Sequence, residues 1–129
     1  MRYLTLAEAL AIAEAVTGLE LLTLVKASRL ELLDSALHAP EAGFGDEDFY
    51  PTLEQKAAVL AVRIARNLPL PDGNKRLAWQ SLTVFLALNG HGLSTTADDA
   101  VAFMLGIAGG EIDEEAAEAW ISQQMEAGG

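Results

Sequence analysis

The chain has 129 residues, 51% of them hydrophobic and 21% charged, with eight basic side chains against nineteen acidic ones and a net charge of −11. This length suits one domain, the composition is too apolar for a disordered chain, and the acidity argues against a general binder of nucleic-acid backbones or anionic membranes. The absence of cysteine excludes disulfides, thiol nucleophiles and cysteine-bound zinc, and leaves His38 and His91 as the only imidazoles.

The N-terminal stretch carries Glu8 and Glu14 where a signal peptide needs an apolar run, and no segment reaches the roughly 20 apolar residues of a membrane helix, so a cytoplasmic protein is expected. Thr5-Leu6-Ala7-Glu8 is a capping-box pattern opening a helix that stops at Gly18. An apolar stretch at 19–25 follows, then a helix over 30–37 closed by Pro40. Residues 41–51 (EAGFGDEDFYP) read as an exposed loop or short hairpin. Its Phe44, Phe49 and Tyr50 admit two readings: anchors that tie the loop to the core, which is the plainer one, or a flap that faces a substrate.

Thr52-Leu53-Glu54-Gln55 is a second capping box, and its helix runs to about Asn67, before the turn Pro69-Leu70-Pro71-Asp72-Gly73. The next helix spans about 73–89 and ends at Gly90; it is apolar almost all round apart from Arg76, Gln80 and Thr83, which marks a helix enclosed by others. Two more helices are expected, at 97–108 after Thr95 and Thr96 and at 114–127 after Asp113. No convincing strand, repeat or linker interrupts them. The expectation is an all-α single domain, 1–129, wrapped around the 73–89 helix.

Five of the eight basic residues, Lys56, Arg63, Arg66, Lys75 and Arg76, fall within positions 56–76 with Asp72 as the lone acid, a local charge of +4 that leaves −15 for the rest. Lys56, Arg63 and Arg66 share one helix face and are expected to face one pocket. In Asp72-Gly73-Asn74-Lys75-Arg76, two bases stand at a helix N-terminus, where the peptide dipole disfavours cations by about 0.3–1 kcal/mol each. They make sense there if an anion sits on the amides of Gly73, Asn74 and Lys75, as in phosphate binding. Asp72 either caps the helix or holds a divalent cation; the plain alternative has Asp72 as a cap and both bases solvated. The GxxxxGK[ST] spacing of a P-loop is absent.

The run Asn67-Leu68-Pro69-Leu70-Pro71-Asp72-Gly73-Asn74-Lys75-Arg76 resembles the core motif of the Fic/Doc family, H-x-F-x-[DE]-[GA]-N-[GK]-R, in its death-on-curing version with Asn-Lys-Arg. The 32–37 helix before a proline, Tyr50-Pro51-Thr52 and the Leu86-Ala87-Leu88-Asn89-Gly90 ending add to a likeness that extends over about 3–110. The resemblance implies a small all-helical domain that transfers a phosphate-containing group from a nucleotide triphosphate such as ATP to a protein hydroxyl. Members of the Doc type are toxins that phosphorylate a translation elongation factor and are neutralised by a Phd-type antitoxin; Fic-type members usually transfer AMP. Carried over, Asp72 binds Mg²⁺, Gly73, Asn74, Lys75 and Arg76 hold the nucleotide phosphates, and Phe44, Phe49 and Tyr50 belong to the target-docking flap. Lys75, where AMP-transferring members have glycine, favours the kinase type.

One departure bears on activity. Leu68 stands where the family has its catalytic histidine, and losing a general base removes about 10²–10⁴ of rate. Leu70 replaces a phenylalanine with a packing role. His38 and His91 read as surface or locally bonded residues, not substitutes. Three accounts of Leu68 stand: an introduced substitution that disarms a toxin, a natural loss that leaves a binding module, and activity retained through another base. A mean hydropathy of +0.23 beside the net charge of −11 further suggests apolar surface covered by a partner, such as an antitoxin segment.

Overall fold

The computed structural model describes residues 1–126, which form seven α-helices, one 3-10 turn and two miniature antiparallel sheets. Helix α1 is Leu6–Thr17; the Thr5 hydroxyl accepts from the Glu8 amide while the Glu8 carboxylate accepts from the Thr5 amide, and Gly18 closes the helix in the left-handed region at φ 74°. The apolar stretch becomes α2, Leu21–Ala27. Helix α3, Leu30–His38, gives way to a 3-10 turn at Ala39–Glu41 that contains Pro40. The expected hairpin follows as β1, Gly43–Phe44, paired with β2, Glu47–Asp48. Thr52 and Gln55 build the second capping box at the head of α4, Leu53–Asn67, and α5 occupies Asn74–Leu88. Helices α6, Ala97–Gly109, and α7, Glu114–Gln124, are capped by Thr96 and Asp113.

The centre of the molecule is α4, not the 73–89 helix. Every residue from Lys56 to Val62, with Ile64 and Ala65, is buried, and α4 packs against the 3-10 turn, α3, α5, α6 and α7. Its small residues Ala57, Ala58, Ala61 and Ala65 let these neighbours approach closely. Helix α5 is the second wall: Leu77, Ala78, Leu82, Phe85 and Leu86 are buried, whereas Trp79 is half-buried and Leu88 exposed. Phe103 and Trp120 stack with ring centroids 3.9 Å apart and Trp79 meets both edge-on, joining α5, α6 and α7.

The last helix also departs from expectation. It ends at Gln124, and Met125–Glu126 (β4) turns extended to pair with Gly92–Leu93 (β3), where half-buried Leu93 and Met125 pack on the core. Ala127, expected inside that helix, lies outside the described residues. Among the described residues no helix is long and apolar enough to cross a membrane.

Candidate active site

The chain leaves α4 through Leu68, the one non-glycine residue with positive φ among those described (φ 50°, ψ 55°), and enters α5 through Gly73 at φ 85°. Between these two left-handed residues the loop is pinned on both sides. The Asn74 side chain accepts from the Leu70 amide at 2.8 Å and donates to the Leu70 carbonyl at 2.9 Å. The Arg29 amide donates to the Pro69 carbonyl at 2.8 Å, and Asn67 Nδ2 donates to the Leu32 carbonyl at 3.1 Å. Leu70 is buried, in keeping with the packing role expected of it. The bracing roles of Asn67 and Asn74 had no sequence signal beyond the amide side chains at the two ends of the loop.

This arrangement lines a cavity of about 310 Å³ with Ala65, Leu68, Pro71, Asp72, Gly73, Asn74, Lys75, Arg76 and Ala108. Six expected site residues, Leu68 and Asp72 to Arg76, therefore share one wall. The first intrahelical bond of α5 runs from the Leu77 amide to the Gly73 carbonyl, so the amides of Asn74, Lys75 and Arg76 in the first turn have no acceptor within the helix. Lys75 and Arg76 are exposed and make no ion pair among the described residues. Arg76 folds back over Gly73: a Cβ at position 73 would lie 3.5 Å from its Nη2 and 3.2 Å from Thr17 Cγ2. Asp72 does not cap α5; the cap position is Gly73 and no side chain bonds there, because the left-handed turn puts the glycine at the helix start. Asp72 is exposed at the cavity and is the only carboxylate in its wall. A magnesium ion shared with phosphate oxygens needs one or two protein carboxylates and keeps several waters, so this donor set fits such an ion. It does not provide a self-sufficient cage, as no group of three His, Cys, Asp or Glu side chains converges among the described residues.

The sequence model of the Fic/DOC family matches residues 3–86. The chain belongs to the Fic/DOC family. Toxin Doc of Mycolicibacterium smegmatis is 46% identical over 67 residues, an alignment covering 52% of this chain and 52% of that protein, so the chain spans about half the length of the curated relative it matches. The family match stops at Leu86, short of the expected extent to Gly110, and leaves α6 and α7 outside it.

The expected pocket for Lys56, Arg63 and Arg66 does not form. Each is engaged elsewhere: the Lys56 ammonium donates to the Pro40 carbonyl at 3.0 Å, Arg63 Nε lies 3.3 Å from Glu114 Oε2, and Arg66 donates to the Ile107 and Ile112 carbonyls. A shared helix face brought them to one side, but α6, α7 and the 3-10 turn supply a separate partner for each. Only Lys75 and Arg76 remain as cavity cations.

The anchoring reading fails for two of the three loop aromatics. Phe44 is 83% and Phe49 61% exposed, since the hairpin stands off the core; Tyr50 alone is half-buried, donating to Glu114 at 3.2 Å. Burial, followed by the Glu114 carboxylate, pushes the Tyr50 phenol up from its ordinary pKa. All three lie outside the Leu68–Arg76 cavity wall. His38 and His91 contact backbone carbonyls of Asp34 and Glu126 and take no part in the cavity.

A second cavity of about 520 Å³ runs between α1, α5 and α6. Its walls are apolar, including Val16, Trp79, Val101, Met104 and Leu105, and Lys75 and Arg76 line it as well. Trp79 is the one apolar residue that α5 contributes to this groove; Leu77, Ala78, Leu82, Phe85 and Leu86 are buried and Leu88 is exposed, so α5 is covered over only part of its surface.

Proposed function

We propose that the chain is a Doc-type toxin of a toxin–antitoxin pair, built to move a phosphoryl group from a nucleotide triphosphate such as ATP to a hydroxyl of a protein and disarmed at Leu68. The observation that carries this reading is the convergence of Leu68, Asp72 and the cationic first turn of α5 on one cavity. Phosphoryl transfer asks chiefly for positioning and charge neutralisation. The amides of Asn74, Lys75 and Arg76 and the two cationic side chains would hold phosphate oxygens, with the Asn74 side chain kept for the loop. Bound at Asp72, Mg²⁺ would neutralise charge on the same oxygens. As the attacking hydroxyl bonds to the terminal phosphorus and the bond to the departing nucleoside diphosphate breaks, the hydroxyl proton must leave, and Leu68 offers no lone pair to take it. Lys75 supports phosphoryl over AMP transfer, which stays as the alternative outcome. Family resemblance supports a translation elongation factor as target and a Phd-type antitoxin as partner, in the cytoplasm. The apolar groove ending at Lys75 and Arg76 suits an antitoxin segment that carries apolar side chains and an acidic group.

A second reading rests on Leu68 itself. Leu68 is 55% exposed and occupies the left-handed position without a basic atom, which suits a module that binds nucleotide without turning it over.

Calorimetric titration with ATP and Mg²⁺ tests the phosphate assignment common to both. The chain binds, and Arg76→Ala weakens binding by about ten- to a hundredfold, the worth of one charge-assisted hydrogen bond. Equal affinity in both proteins would remove the assignment.

A further inference from the structure

We infer that Lys56 is a positioning residue that clamps the 43–48 hairpin in place as a platform for Phe44 and Phe49, an inference that rests on reading those two side chains as facing the protein target. Lysine is almost never fully buried unless its charge is met, yet Lys56 is 2% exposed and is the only buried charged side chain among the described residues. Its ammonium donates to the Pro40 carbonyl at 3.0 Å, lies 3.6 Å from Asp48 Oδ2 and sits 5.7 Å from the centre of the Tyr3 ring. Pro40 belongs to the 3-10 turn that leads into β1, and Asp48 belongs to β2. One cation on the central helix thus grips the chain on both sides of the hairpin.

The hairpin needs such a grip. Its ladder has two residue pairs, and an isolated two-stranded hairpin is marginal in water even when longer. Both strands are exposed, so no apolar face fixes their direction. Beyond the Lys56 clamp, the segment is tied down by Tyr50, which donates to Glu114, itself paired with Arg63. The two halves of the clamp differ in kind. The Pro40 bond is buried, whereas the Asp48 side chain is 58% exposed and its attraction to Lys56 is screened by salt. Ionic strength therefore loosens the hairpin and spares the core.

Amide exchange measured by NMR on the full chain, corrected for intrinsic rates, decides the clamp. The reporters are Phe49, whose amide donates to the Ala42 carbonyl, and the amides of α4 as internal reference. Asp48→Ala speeds exchange at Phe49 about two- to fivefold, Asp48→Glu restores protection, and α4 does not change. Molar sodium chloride speeds Phe49 exchange more in the parent chain than in Asp48→Ala, where the Arg63–Glu114 pair is the remaining salt-sensitive tie. Equal Phe49 rates in the parent and Asp48→Ala, or a salt response as large in Asp48→Ala as in the parent, overturns the clamp. The target-facing reading fails separately: in a Leu68→His background Phe44→Ser and Asp48→Ala should weaken growth arrest and Asp48→Glu restore it. Arrest that is absent, or undiminished by Phe44→Ser, overturns the reading on which the platform rests, whatever the exchange rates show.

Discussion

Replacing Asn74 by alanine removes both side-chain bonds that close the 68–72 loop and leaves the α5 helix itself with a better helix former. Each bond contributes about 0.5–1.5 kcal/mol net, and the Leu70 amide, buried with its residue, loses its acceptor, so the variant should lose about 2–3 kcal/mol. For a domain of this size that is a fall in Tm of roughly 6–12 °C. Asn74→Asp keeps the acceptor for the Leu70 amide and places a carboxylate at a helix N-terminus, where it gains about 0.3–1 kcal/mol, but it faces the Leu70 carbonyl with no proton to donate. It should fall between the parent and alanine. Thermal and urea unfolding of the three proteins gives the order, and ATP titration shows whether the loosened loop also weakens nucleotide binding. Alanine within about 0.5 kcal/mol of the parent, the range of an ordinary surface change, would refute the claim that Asn74 holds the loop.

Gly73→Ala should cost about 1–2 kcal/mol from the left-handed backbone alone, and it should weaken ATP binding because the new methyl meets Arg76 and Thr17; denaturation and titration check the two effects separately. Glu8 predicts a pH dependence. The Arg2 guanidinium hydrogen-bonded to it, with the Thr5 amide, lowers its pKa to about 2, so its contribution is whole above the ordinary carboxylate value of about 4.3 and disappears as pH falls toward 2. Melts of Glu8→Gln should lie below the parent at pH 7 and converge with it near pH 2, and a gap that persists there would contradict the assignment.

Much of the fold was legible because its signals are local. Thr5 with Glu8, Thr52 with Gln55, Thr96 and Asp113 each announce a helix start within a few residues, and Gly18 and Gly110 supply left-handed ends. What failed depended on distant partners. Arg63 and Arg66 are answered by Glu114, Ile107 and Ile112, some 40 to 50 positions away, which periodicity cannot reveal. The apolar surface of α5 suggested enclosure, but Trp79 and Val84 are half-buried and Leu88 is exposed, and an apolar side chain does not reveal which neighbours cover it; the alanine-rich α4 was the better candidate for the centre. In the site, the motif spacing brought Leu68 and Asp72 to Arg76 together as expected, whereas Asp72 as a cap and Phe44 and Phe49 as anchors were both displaced by backbone geometry.

On the proposed function, the cavity lacks only a base at position 68. Histidine tolerates the left-handed backbone better than most residues, and Leu68 is largely exposed, so Leu68→His should fold as the parent does. The measurement is bacterial growth on induction of each form, with and without a co-expressed antitoxin. Arrest is expected with Leu68→His alone, relieved by the antitoxin, with little effect from the parent chain. Unimpeded growth with folded Leu68→His protein would overturn the proposed function.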